Sequence, residues 1–230
     1  MTLRKKIWRG SLPIVAAALT FICLLAQQGT PPKQGSIPDV HALAQRVDQH
    51  YNKLHSLKAA FTETYEGLGM HRQESGTLLL LKPGRMRWDY SSPSGKLFLL
   101  DGKYAWFYEQ GDPQVQRIPA KQLDDLRSPL RLLLGHTELE KELTHLTVAA
   151  TPHGDFKLTG QPKGQEKRIP RLTLTVTGDG AIADIEIEEV DGALTSFAFT
   201  AEIPNAQAPA GAFHFTPPPG VQVIDALPPV

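Results

Sequence analysis

Between Val40 and Leu57, apolar residues recur at spacings of three and four (Val40, Leu43, Val47, Tyr51, Leu54, Leu57), the period of a helix with one buried face. Asp39 stands where it can cap that helix. From Ala59 the period changes to two, and about eleven short strands follow, separated by turn residues: 59–66, 74–82, 85–91, 96–101, 104–109, 113–118, 143–150, 154–159, 171–177, 181–188 and 194–200. In the run RLTLTVT, Leu172, Leu174 and Val176 alternate with threonines, and a sheet wet on one face is an antiparallel sheet. The meander breaks once, at PAKQLDDLRSPLRLLLG, where Leu123, Leu126, Leu130, Leu133 and Leu134 return to helical spacing. Ser128 and Pro129 divide that stretch into two short helices, the second ending at Gly135. The pattern predicts a mainly β fold with some α: one long curved antiparallel sheet of about eleven strands, a barrel or half-barrel, served by three apolar-faced helices.

The most apolar strands frame the question of function. A turn at Pro83-Gly84 pairs Leu81 with Met86 and Leu79 with Trp88, which puts Leu79, Leu81, Met86, Trp88 and Tyr90 on one face. A slip of one residue would exchange the leucines between faces, whereas Met86, Trp88 and Tyr90 stay together in either register. The next hairpin turns at Asp101-Gly102, and its Leu97, Leu99, Tyr104, Trp106 and Tyr108 extend the apolar area. Such a surface is either ordinary core plugged by helices, the commoner fate of apolar faces, or the wall of a cavity for an apolar ligand. The excess of apolar sheet over helix speaks for the cavity.

The first residues belong to a different class. Arg4, Lys5, Lys6 and Arg9 precede an uncharged apolar run from Leu12 to Ala26, the arrangement of a secretory signal peptide over residues 1–29. At 15 residues the run is shorter than the roughly 20 that span a bilayer. Cys23, the only cysteine, follows Ile22 rather than a small residue, which places it in the discarded leader and not at a lipidation site. A Pro/Gly-rich spacer, residues 30–38, leads into a single domain over 39–230. Without the four leader cations, 20 Lys+Arg face 24 Asp+Glu, a net charge of −4 that offers no global attraction for nucleic acid.

Little in the chain asks for catalysis. Neither Gly95-Lys96 nor Gly102-Lys103 completes a phosphate-binding loop, and no G-x-S-x-G or H-E-x-x-H is present. The eight histidines lack metal spacing, and Asp124-Asp125 and Glu188-Glu189 are adjacent, so their carboxylates point apart. The reading is a binding protein without cofactor or metal.

Taken in order, HSLKAAFTETY, ESGTLLLLKPGRMRWDY, LDGKYAWFYE, SPLRLLL and FHFTPPPGVQVID resemble the periplasmic outer-membrane lipoprotein carrier family, LolA. The resemblance implies an unclosed antiparallel barrel of eleven strands lidded by short helices, whose hollow interior takes the acyl chains of lipoproteins, with a cavity lined by Leu79, Leu81, Met86, Trp88, Tyr90, Leu97, Leu99 and Trp106. It implies a lid carrying Leu43, Val47, Leu54, Leu130, Leu133 and Leu134. It also implies a periplasmic monomer that takes acylated lipoproteins from an inner-membrane ABC transporter and passes them to an outer-membrane receptor. The family's arginine before the hairpin proline, which latches the lid to helix backbone, is replaced here by Lys82; lysine keeps the charge but not the planar fork. An anchored receptor of the same fold would need a lipidated cysteine, and a sensor module built on the same half-barrel would need no acyl chain.

Overall fold

The computed structural model describes residues 37–125 and 135–225. It opens with helix α1, Val40–Asn52, whose first turn is capped by the Asp39 carboxylate accepting from the N–H groups of His41 and Ala42. The helix ends earlier than its apolar spacing suggests. Leu54 lies beyond its last residue, and Leu57 already belongs to the first strand. The strands are β1 (Ser56–Gly67), β2 (Met70–Leu81), β3 (Arg85–Ser92), β4 (Ser94–Leu100), β5 (Tyr104–Glu109) and β6 (Gln114–Pro119). Two short helices, α2 (Ala120–Asp125) and α3 (Leu139–Glu142), stand on either side of the segment not described. Strands β7 (Leu143–Ala150), β8 (Phe156–Pro162), β9 (Arg171–Val176), β10 (Ile182–Glu188), β11 (Leu194–Pro204) and β12 (Gln222–Asp225) follow.

Among the described residues, the twelve strands form one sheet in the order β12-β6-β5-β4-β3-β2-β1-β11-β10-β9-β8-β7, in which β12 and β7 stand at opposite edges and do not pair with each other, so the barrel is not closed. Eleven strands match the expected meander. The twelfth was not foreseen, and it pairs parallel to β6 through Val223↔Val115 and its neighbours, the one departure from an antiparallel sheet. Bidentate bonds from Arg117 to Asp225, 2.7 and 3.0 Å, fasten that edge. The expected leader over 1–29 and most of the spacer lie outside the described residues, as does the expected helix at 129–134. Among the described residues, no helix is long and apolar enough to cross a membrane.

Helix α1 lies on one face of the sheet and is moored there along its length. Leu43, Ala44, Val47 and Tyr51 are buried in the same core as residues of eleven strands, β1 to β11. The Tyr51 hydroxyl accepts from the Ile182 N–H at 2.9 Å, Arg46 donates to the Gly178 carbonyl at 3.2 Å, and Asp48 accepts from the Leu139 N–H at 3.0 Å. Gly180, at φ +93°, makes this seating possible, since a Cβ there would stand 2.5 Å from the Arg46 carbonyl oxygen.

Candidate functional site

The strand registers write the concave face as rows. One runs Leu57↔Leu80↔Met86↔Leu100↔Ala105↔Ile118 across six strands. The next runs Ala59↔Leu78↔Trp88↔Phe98↔Phe107. On the far side of β1, Phe197↔Ile185↔Leu174↔Leu158↔Val148 continues the apolar surface to β7. Between the two halves Trp88 meets Phe61 edge-on at 4.5 Å and Phe197 at 5.5 Å, while Phe61 meets Tyr90 at 5.0 Å. Gly76 allows this crowding: a Cβ there would meet the Asp89 carbonyl oxygen at 2.0 Å and the Phe61 ring at 2.9 Å.

Three of the eight residues expected to line a cavity, Met86, Trp88 and Tyr90, are on this face. The other five are not. The β2–β3 turn spans three residues, Lys82, Pro83 and Gly84, so Leu81 pairs with Arg85 and Leu78 with Trp88. That one-residue slip turns Leu79 and Leu81 to the side opposite Trp88 and brings Leu78 and Leu80 to the concave face. Trp88 pairs with Phe98 and Met86 with Leu100, so Leu97, Leu99 and Trp106 also belong to the opposite, convex side. There Leu99, Trp106 and Val115 form a second core, covered by Phe213, Phe215 and Val221 from the irregular segment after β11. Arg87 holds the segment by donating to the Ala212 carbonyl at 3.0 Å, and the Trp106 indole donates to Asp101 at 2.8 Å. Strands β4 and β5 are apolar on both faces because both are covered, so alternation could not tell inside from outside. Phe98, Leu100, Phe107, Phe197 and Phe199 were missed; the alternation Phe197-Ala198-Phe199 carried the only signal for the last two.

Of the expected lid, Leu43 and Val47 are fully buried on α1, and Leu54 packs into the same core from beyond the helix end. Leu130, Leu133 and Leu134 lie outside the described residues. Lys82 stands at the C-terminal end of α1: its ammonium donates to the Tyr51 carbonyl at 2.9 Å, and its backbone N–H to the His55 carbonyl at 2.8 Å. Burial holds the Lys82 pKa below the ordinary lysine value. Beside it opens a groove of about 320 Å³ lined by Asn52, Leu54, His55, Lys82, Pro83, Gly135 and His136.

At the other end of the trough the concave face turns polar. The Tyr90 hydroxyl donates to Glu63 at 2.9 Å, and Lys96 lies 4.3 Å from the centre of the Tyr90 ring while pairing with buried Glu74. Burial, reinforced by the Glu63 carboxylate, pushes the Tyr90 hydroxyl pKa far above its usual value. Among the described residues no three His, Cys, Asp or Glu side chains stand together as a metal ligand set. The concave face is thus apolar over most of its breadth and charged at one margin.

The family model described as "Outer membrane lipoprotein carrier protein LolA" matches residues 52–216. The outer-membrane lipoprotein carrier protein of Chromobacterium violaceum is 31% identical over 170 residues, covering 74% of this chain and 81% of its own. That of Proteus mirabilis is 32% identical over 185 residues, covering 79% and 87%. Among solved structures, an uncharacterized conserved protein from Thermus thermophilus shares the fold, with a TM-score of 0.51 at 13% identity over 81% of this chain and 98% of that one. With a family model matching over two thirds of its length and relatives of this identity and coverage, the chain belongs to the LolA family of outer-membrane lipoprotein carriers.

Proposed function

We propose that this protein is a periplasmic carrier that shelters the acyl chains of lipoproteins released from the inner membrane and delivers them to the outer membrane. The observation that carries the reading is the concave face: unbroken apolar rows across an open sheet, roofed by α1 rather than filled by a second sheet. The need for shelter is large. At about 0.8 kcal/mol per methylene, one 16-carbon chain costs on the order of 12 kcal/mol to bring into water. A carrier removes that cost by exchanging one apolar environment for another.

In the empty state α1 takes the ligand's place, with Leu43, Val47 and Tyr51 against the sheet. The Lys82 bond to the last turn of α1 is the latch, and cargo enters when that end of the helix lifts. The donor of cargo is an inner-membrane lipoprotein-releasing ABC transporter and the acceptor an outer-membrane lipoprotein receptor; the basic and apolar leader supports export to the space between them. The test is mass spectrometry of material that co-purifies with the mature protein from its native envelope. N-terminally acylated lipoproteins are the expected finding, and their absence, with the protein folded and monomeric, would reject the carrier role.

A further inference from the structure

One polar group on the concave face is left over by the apolar rows. Trp88 is 2% exposed, and its indole N–H finds no acceptor among the described residues. Its neighbours are rings: Phe61, Phe197 and Phe199, at 4.5, 5.5 and 6.2 Å. A ring face is a weak acceptor at best, and a buried donor without a partner is disfavoured by about as much as a lost hydrogen bond. Phenylalanine would fill most of the same space without that penalty. The contrast with Trp106 is direct, because on the convex side the indole N–H is satisfied by Asp101 at 2.8 Å.

The position of Trp88 along the trough says what the donor is for. Towards Lys82 the next row is wholly apolar, with Met86, Leu80 and Leu100. In the other direction, two residues along β3, Tyr90 begins the cluster of Glu63, Glu74 and Lys96. Trp88 therefore marks the boundary between a hydrocarbon-compatible surface and a charged one. An acylated peptide has the same order of chemistry: hydrocarbon, then a carbonyl acceptor in the ester or amide linkage, then a polar backbone.

We propose that the Trp88 indole N–H donates a hydrogen bond to a carbonyl oxygen of the cargo's acyl linkage, with the fatty chains on the Met86 row and the peptide directed to the Tyr90 cluster. This rests on the carrier reading and adds to it a polar recognition element. The trough then selects acyl chains that carry an ester or amide over bare or ether-linked hydrocarbon, and it fixes the direction in which cargo lies.

The test uses the whole mature protein and two synthetic peptides: one with an N-terminal S-dipalmitoylglyceryl cysteine, the other its dihexadecyl ether analogue, which lacks the ester carbonyls. The ester peptide should bind the wild type about fivefold more tightly than the ether peptide, as one hydrogen bond warrants, and in Trp88→Phe the two affinities should converge. With ¹⁵N-labelled tryptophan, the Trp88 indole proton resonance should move downfield on adding the ester peptide and stay near its place with the ether peptide. That second reading needs no variant to fold. Equal losses for both peptides in Trp88→Phe, or an unmoved indole resonance at saturation with the ester peptide, would make Trp88 a packing residue only and overturn the inference. If neither peptide binds the wild type, the carrier reading falls first and takes this inference with it.

Discussion

Replacing Lys82 with methionine keeps most of the side chain's apolar stem and removes its side-chain bond to the last turn of α1. A half-buried bond from a charged donor to a neutral carbonyl is worth about 1.5 kcal/mol net. Its placement at a helix C-terminus, where a cation meets the negative end of the helix dipole, adds about 0.5 kcal/mol. On the proposed latch, the bond exists only while α1 is seated, so its loss would destabilise the empty, closed form and leave the loaded form alone. If closure dominates the empty state, the whole of that difference passes into binding, and Lys82→Met should take up an acylated peptide roughly 10- to 30-fold more tightly. Lys82→Arg should act in the opposite sense, because a planar fork with a second N–H holds the closed form more firmly. The assay is titration of a fluorescent acylated peptide against the three proteins, alongside binding of an apolar dye and thermal melting of the empty proteins. An affinity for Lys82→Met within about twofold of wild type, together with a lowered Tm, would show that the bond serves stability alone and that α1 is no lid.

Phe215→Ala should lower stability by about 1–2 kcal/mol, since the half-buried ring covers Trp106 and Tyr108 on the convex side, while acyl-peptide affinity per folded molecule stays unchanged; denaturant titration and binding separate the two. Asp184 tests the sheet's electrostatics: burial, with Glu186 adding, pushes its pKa from 3.8 up to about 6. The folded state therefore favours the protonated acid, so the stabilising contribution is present below about pH 4 and lost as pH rises through 6. Asp184→Asn should accordingly raise stability by about 1–2 kcal/mol at neutral pH and by little near pH 3.5, read as Tm against pH.

Strand existence was readable because eleven of the strands alternate or end in turn residues, and α1 because its cap and one face are explicit in Asp39, Leu43 and Val47. Which face of β4 and β5 looks inward was not readable. Leu97 and Leu99 are as apolar as Phe98 and Leu100, since one pair lies under the segment bearing Phe215 and the other under the concave core. The leucine faces of β2 depended on whether the turn after it held two residues or three, and Lys82-Pro83-Gly84 made it three. Helical spacing overran α1 because Leu54 and Leu57 feed the same core from a turn and a strand. Strand β12 escaped notice because only four residues form it and its partner lies more than a hundred residues earlier.

A carrier of this design must meet its cargo on the concave face of the sheet. A photoreactive benzoylphenylalanine at Phe107 reports on the concave face, and one at Tyr104 on the convex face; both positions are half-buried, on the same strand and three residues apart. After irradiation in living cells, adducts that contain acylated N-terminal lipoprotein peptides by mass spectrometry are expected at Phe107, and none at Tyr104. Acylated adducts at Tyr104 and not at Phe107, or at neither position in folded protein, would contradict that design.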